Sequence, residues 1–244
     1  LNDNSMTDCI LTLLLAHDIY REQRYKEAAL RGGDFFLLAQ MPPPQPAWAQ
    51  QYNHEMHPVW ARKFEPPAIS GRESQDVLMT LLLLFERTGE ERFLAPVPDA
   101  LAYFRASLLE DGRLARFYEL QTNRPLFMTQ DYTLTYEKDD LPTHYAFVVP
   151  SMLDQIAERY ARATGDAASE KRELTPEELA EAAIETLDER GAWVEPGKLR
   201  RHGEEDPTRS VIRTATFNEN VRAIAAYLKS LDTPSRNPSA RTAS

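Results

Sequence analysis

Cysteine is almost missing from this chain: Cys9 stands alone among 244 residues. One cysteine excludes a disulfide framework and a cysteine-built metal site within the chain. Glycine is scarce at 9 residues, and no run of them has the spacing of a phosphate-cradling loop. The glycine–serine–glycine elbow of a serine hydrolase is absent too. Positive charge is in deficit: 28 Lys and Arg face 38 Asp and Glu, for a net charge of -10. That balance argues against general nucleic-acid binding, which uses a broad positive field. Any anionic ligand must therefore be held by a local basic cluster. Long apolar runs are lacking as well. ILTLLLA at 10–16 is too short to span a bilayer, and LNDNSMTD carries no basic, apolar and small-residue leader pattern.

What is present is mostly helical. Apolar side chains at helical spacing (Met6, Cys9, Ile10, Leu13, Leu14) predict a helix over 5–20, capped by Asn4 or Ser5. A second helix is expected over 25–40, ending before the prolines of MPPPQP. Ser70 and Glu73 have the spacing of a capping box for a third, to about Arg87. A fourth is expected over 91–108, and a fifth over 143–163, kinked at Pro150. Thr175-Pro176-Glu177-Glu178 reads as a strong helix start, and a last helix is expected over 217–230. A similar turn recurs at 19–25, 86–93 and 162–169, which is the punctuation of helical hairpins. Strand character appears at Trp48–Tyr52, Leu114–Leu120, Pro125–Thr129 and Tyr132–Tyr136, with a turn at TNRP. The expected organisation is one domain over 1–232 and a disordered tail over 233–244, rich in Ser, Pro, Arg and Asn.

Several constellations could carry chemistry. His54-Glu55-Met56-His57 is not the zinc motif H-E-x-x-H: its histidines are three apart, and Pro58 disfavours helix at His57. Arg113, Arg116 and Arg124 are interleaved with Phe117 and Tyr118. Guanidinium forks suit carboxylates, and rings suit the apolar faces of sugars. On a strand, Arg116 and Tyr118 would share a face. The plain alternative is surface arginines paired with Glu110, Asp111 and Glu119. Asp3, Asn4 and Asn53 are oxygen-ligand types suited to calcium, although Asp and Asn at a helix start commonly act as caps. Glu65 is available to anchor a basic neighbour.

Four blocks together resemble the pectic acid lyases of polysaccharide lyase family 10: NDNSM at 2–6, WAQQYN at 48–53, ARKFEPPAISGRES at 61–74 and ARFYELQTNRPLF at 115–127. The resemblance covers roughly residues 1–160 and implies a divergent, N-terminally shortened member. It implies a mostly α fold, an incomplete α/α toroid of helical hairpins with a few short strands lining a groove. It also implies calcium-assisted β-elimination of polygalacturonate or a related acidic polysaccharide, with an arginine as base. Arg113 is the placement of that base and Arg105 the reserve. Arg116 matches a substrate-binding arginine, with Tyr118 and Arg124 beside it. Asp3 and Asn53 fall at the presumed calcium positions. Asn53 stands where the family has Asp, and Gln130 where a further arginine is expected. The same resemblance implies a secreted or periplasmic monomer that binds neither nucleic acid nor membrane. The rival readings are a non-catalytic oligouronide-binding protein on the same scaffold and a glycoside hydrolase on a related helical toroid.

Overall fold

Helix α1 (Ser5–Tyr20) ends where Arg21 turns into the left-handed region at φ 58°, its N–H bonded to the His17 carbonyl at 2.8 Å. The chain then doubles back as α2 (Gln23–Ala39), and the two helices pack as a hairpin. Two glycines of α2 let it approach its neighbours closely: a Cβ on Gly32 would lie 2.7 Å from Ile10 of α1. A Cβ on Gly33 would lie 2.6 Å from Leu84 and from Phe93. The same punctuation closes α3 (Glu73–Thr88) at Gly89, which is left-handed. Helix α4 (Val97–Ala106) follows a single 3-10 turn and starts on prolines, which the first helical turn tolerates. Helix α5 (Leu153–Thr164) closes on a left-handed Gly165. This computed structural model describes residues 1–166, 174–198 and 207–231.

Short strands occupy the connections. β1 (Ile69–Ser70), β3 (Phe117–Tyr118), β4 (Pro125–Met128) and β5 (Leu134–Thr135) form an antiparallel sheet in that order. Ile69 pairs with Tyr118, Phe117 with Leu126, and Phe127 with Thr135. β2 (Leu114–Ala115) pairs separately with β6 (Val148–Val149). The core lies between these strands and the helices. Trp48, Phe36, Phe93, Phe104, Phe117 and Phe147 are fully buried. The Trp48 indole N–H donates to the Phe36 carbonyl at 2.7 Å, which settles the one polar atom on that ring.

Three sequence expectations are corrected. The helix foreseen over 143–163 begins only at Leu153; 148–149 is strand β6, and Pro150 sits between them. Proline removes a helical hydrogen bond and clashes with the preceding turn, so the chain remains extended up to it. The strand foreseen over 114–120 is broken at Arg116, because its two halves belong to different sheets. Trp48–Tyr52 forms isolated bridges and no strand.

Contacts divide the chain into two compact units, Leu1–Ala168 and Ser169–Ser244, beside the single domain over 1–232 expected from sequence. In the second unit, α6 (Pro176–Glu185) packs on α7 (Thr214–Leu231), and β7 (Glu195–Pro196) pairs with β8 (Ser210–Val211). Both halves of the predicted capping box form: the Glu178 N–H donates to the Thr175 hydroxyl at 3.2 Å, and the Thr175 N–H donates to the Glu178 carboxylate at 2.8 Å. The tail over 233–244 lies outside the described residues. No helix among the described residues is long and apolar enough to cross a membrane.

Candidate functional site

The break at Arg116 is what creates the site. Its backbone N–H bonds to the Phe147 carbonyl at 2.7 Å, and its own carbonyl accepts from Gly71 at 2.8 Å. With both neighbours buried in strands, the half-buried Arg116 side chain is directed onto Glu73, Nη2 to Oε1 at 3.0 Å. Glu73 opens α3. Its other carboxylate oxygen takes a hydrogen bond from the Ser70 hydroxyl. The capping box expected from the Ser70–Glu73 spacing does not form, because α3 begins at Glu73 with Arg72 in the cap position; the Glu73 N–H donates to the Ser70 hydroxyl at 3.3 Å, and the carboxylate serves the arginine.

Glu65 is fully buried and saturated with donors. It accepts from Asn2 at 3.2 Å, Gln50 at 3.2 Å, the Arg62 N–H at 3.1 Å and the Tyr145 hydroxyl at 3.0 Å. Its guanidinium partner is Arg62. Burial pushes the Glu65 carboxyl up, but the hydrogen bonds from Arg62 and Tyr145 outweigh it and hold the carboxyl below the usual carboxylate range. Gln50 bridges the two carboxylates, reaching Glu65 at 3.2 Å and Glu73 at 3.3 Å. Two buried atoms in this cluster have no hydrogen-bond partner: the Gln50 Oε1 acceptor and the Arg116 Nε donor. Unpaired buried polar atoms are rare in native structures, and each calls for an explanation.

Rings cover the outer side. The Arg116 guanidinium lies 4.4 Å from the Tyr145 ring centroid, and Arg62 lies 5.5 Å from Phe64 and 5.9 Å from Tyr145. Burial pushes the Tyr145 hydroxyl well above its ordinary pKa. Asp76, one turn into α3, is raised by burial against the pull of Arg72.

Asn2, Gln50, Arg62, Glu65, Ser70, Glu73 and Arg116 thus converge from blocks that are far apart in the chain. They come from the four blocks on which the resemblance was read. The family model described as pectic acid lyase matches residues 14–115. This region of the chain is pectic acid lyase-like. Two solved structures agree in fold. One is a family 10 polysaccharide lyase from Cellvibrio cellulosa, with 22% identity and a TM-score of 0.54 over 68% of this chain. The other is a point mutant of a family 10 lyase from the same organism, in complex with trigalaturonic acid, at 22% identity and a TM-score of 0.54 over 67% of this chain. In both cases the match spans 62% of the other chain, less than two thirds of its length. No curated protein matches.

Not every residue expected from sequence joins the cluster. Tyr118 does not: it is buried, accepts from the Ala115 N–H at 2.9 Å and donates to the Ser107 carbonyl at 2.7 Å. Alternation along a strand would place it beside Arg116, and the strand break removes that alternation. Arg124 is exposed and lies 3.3 Å from the Tyr136 ring centroid. Arg113 is exposed and clamped by Asp111, Nη2 to Oδ2 at 2.7 Å and Nε to Oδ2 at 3.0 Å. That carboxylate raises its pKa further, the reverse of what a base needs. Arg105 is exposed near the end of α4.

The calcium positions fit poorly. Asp3 is exposed and its carboxylate accepts from Arg62 at 3.2 and 3.3 Å. The Asn53 side-chain oxygen is committed to the N–H groups of Glu55 at 3.0 Å and His57 at 2.9 Å, closing a tight turn. Calcium takes about six to eight oxygens. Among the described residues no group of three or more His, Cys, Asp and Glu side chains is placed to hold a metal. Gln130 donates to Asp140 at 2.7 Å. His54 and His57 are exposed on the turn that follows Asn53.

Sequence reasoning missed Gln50, Arg62, Tyr145 and the depth of Glu65. Gln50 and Arg62 were marked only as members of the resemblance blocks, and Glu65 as a carboxylate in a rigid Glu-Pro-Pro near a basic residue.

Proposed function

We propose that this protein is a polysaccharide lyase that cleaves polygalacturonate or a related acidic polysaccharide by β-elimination. One observation carries the reading: four separated blocks converge on a cluster in which buried Gln50, Glu65 and Glu73 hold the half-buried Arg116 and the exposed Arg62, faced with rings. The trigalaturonic acid bound by the Cellvibrio mutant supports an oligouronide as ligand.

The chemistry sets what the residues must do. The C5 proton of a uronate lies next to the C6 carboxylate and is weakly acidic. As a base takes it, its electron pair forms the C4–C5 double bond and the C4–O4 bond breaks. Negative charge builds on the carboxylate side, where a fixed guanidinium stabilises it most effectively in a site poor in water. Arg116 takes that role. Glu73 and the Ala146 carbonyl, the latter 3.3 Å from Nη1, fix its orientation, while Nε–H has no protein partner. The base is left without a residue, because Arg113 is held in its charged form. Calcium dependence comes from the resemblance alone. Asp3 and Asn53 do not form a calcium shell.

Incubation with polygalacturonate tests the proposal. Unsaturated ends absorb in the ultraviolet, and their appearance, abolished in Arg116→Ala, is the expected result. A flat absorbance trace across a wide pH range, with and without calcium, would overturn turnover. If oligogalacturonate still binds, the second reading takes over: a non-catalytic oligouronide-binding protein. Asn53 favours that reading, since it supplies an amide, already engaged, where a carboxylate is expected.

A further inference from the structure

Lys63 follows Arg62 in the chain and is exposed. In a protein with a net charge of -10, its ammonium has an aromatic ring as its partner and no carboxylate among the described residues: it lies 3.7 Å from the Tyr132 ring centroid. Tyr132 is itself held in an uncommon way. It has φ 65° at the tip of the turn joining β4 to β5, fixed by its N–H to the Thr129 carbonyl at 2.9 Å. An aromatic side chain rarely occupies that region, and backbone strain of this kind gathers at ligand-binding positions. Phe64 stacks on Tyr132 with centroids 5.8 Å apart. His144 stands edge-on to both, at 5.1 and 5.9 Å. Phe64 also lies 4.7 Å from Tyr145, the ring beneath Arg116.

The result is an unbroken series: Arg116, Tyr145, Phe64, Tyr132, Lys63. A cation stands at each end of three rings. We infer that Lys63, Tyr132 and His144 form a second uronate subsite, one that takes the carboxylate and ring of a sugar further along the polymer from the one at Arg116. A polymer with a carboxylate on every sugar matches two cations separated by apolar ring surface. A neutral polysaccharide would leave Lys63 without its partner. The inference rests on the proposed function, since it extends the same binding surface.

Calorimetric titration with galacturonate and with its dimer and trimer tests it, alongside cleavage of polygalacturonate by the same samples. Lys63→Gln should weaken trimer binding about 5-fold at low salt, the upper range for an exposed ion pair, with the loss shrinking as salt is added. Monomer binding should not change. Tyr132→Asn, which tolerates the left-handed backbone while removing the ring, should weaken the trimer at any salt, whereas Tyr132→Phe should not. Unchanged melting temperatures would show that the variants fold. Trimer affinity close to that of wild type in both Lys63→Gln and Tyr132→Asn would overturn the subsite while leaving the lyase reading in place. If the wild-type protein neither binds nor cleaves any oligouronide, the lyase reading fails and the subsite fails with it.

Discussion

Arg116 and Arg113 are three residues apart and live in different physical worlds. Arg116 is half-buried, paired with a buried glutamate that a serine and a glutamine also hold. Arg113 stands in solvent with Asp111, two residues before it in the chain, as its partner. Lys63 and Arg124, set over rings, resemble Arg113 in exposure. The lesson is that burial of a basic residue in this chain depends on distant segments closing around it. Interior pairs are costly to break because the remaining charge is stranded away from water, whereas exposed pairs contribute little.

The sharpest way to break the comparison is Glu73→Ala. It strands Arg116 without its carboxylate and should cost about 3–5 kcal/mol in chemical denaturation. A loss no larger than that of an exposed ion pair would show that the cluster is solvated after all. Arg116→Lys should follow. It keeps the charge but loses the fork, and lyase activity should fall about 100-fold or more, read as the rate of ultraviolet absorbance.

The acid dependence comes third. Glu65 has its folded pKa lowered, so its stabilising contribution is present above the ordinary carboxylate value of about 4.3 and is lost as pH falls through the lower folded value. The stability gap between wild type and Glu65→Gln should therefore be widest near neutral pH and narrow as the medium is acidified below the ordinary carboxylate range. Thermal melts across that range would show it, and a gap independent of pH would contradict it. Asp76 acts in the opposite sense: its raised pKa means that folding favours its protonated form, so acid relieves its burial.

The smallest effects belong to the surface. Arg113→Ala should leave the unfolding midpoint unchanged and activity within a few-fold, whereas loss of turnover with substrate affinity retained would restore Arg113 as the base. Asn53→Asp should leave stability nearly unchanged, because a carboxylate oxygen can accept the same two N–H groups that the amide oxygen accepts now. Any gain in calcium affinity, measured by titration calorimetry, would report directly on the departure from the family pattern.

Much of the local architecture was legible before the fold was known. Helix α1 occupies the residues that its apolar spacing predicted, and the Thr175 capping box forms with both bonds. These signals are short-range: a periodic face or a cap is encoded within a few residues. The candidate site was legible only in part. Arg116 was named for its forked guanidinium, but Tyr118 beside it proved to be a buried strut. Tyr145 gave no signal at all, and Gln50 was marked only by lying in the WAQQYN block, since nothing in their own neighbourhoods reveals their partners. Their roles come from partners up to 95 residues away in the chain.

By itself, then, the sequence determined most of the helical segments, the Thr175 cap, and which blocks resemble a pectic acid lyase. Only the tertiary structure decided which charges are buried. The strand break at Arg116, the pairing of Glu73 across 43 residues and the donors gathered on Glu65 all depend on long-range packing. The physical reason is desolvation. A charged side chain has the same composition and spacing whether it faces water or protein, and its chemistry changes only when the surrounding fold takes the water away.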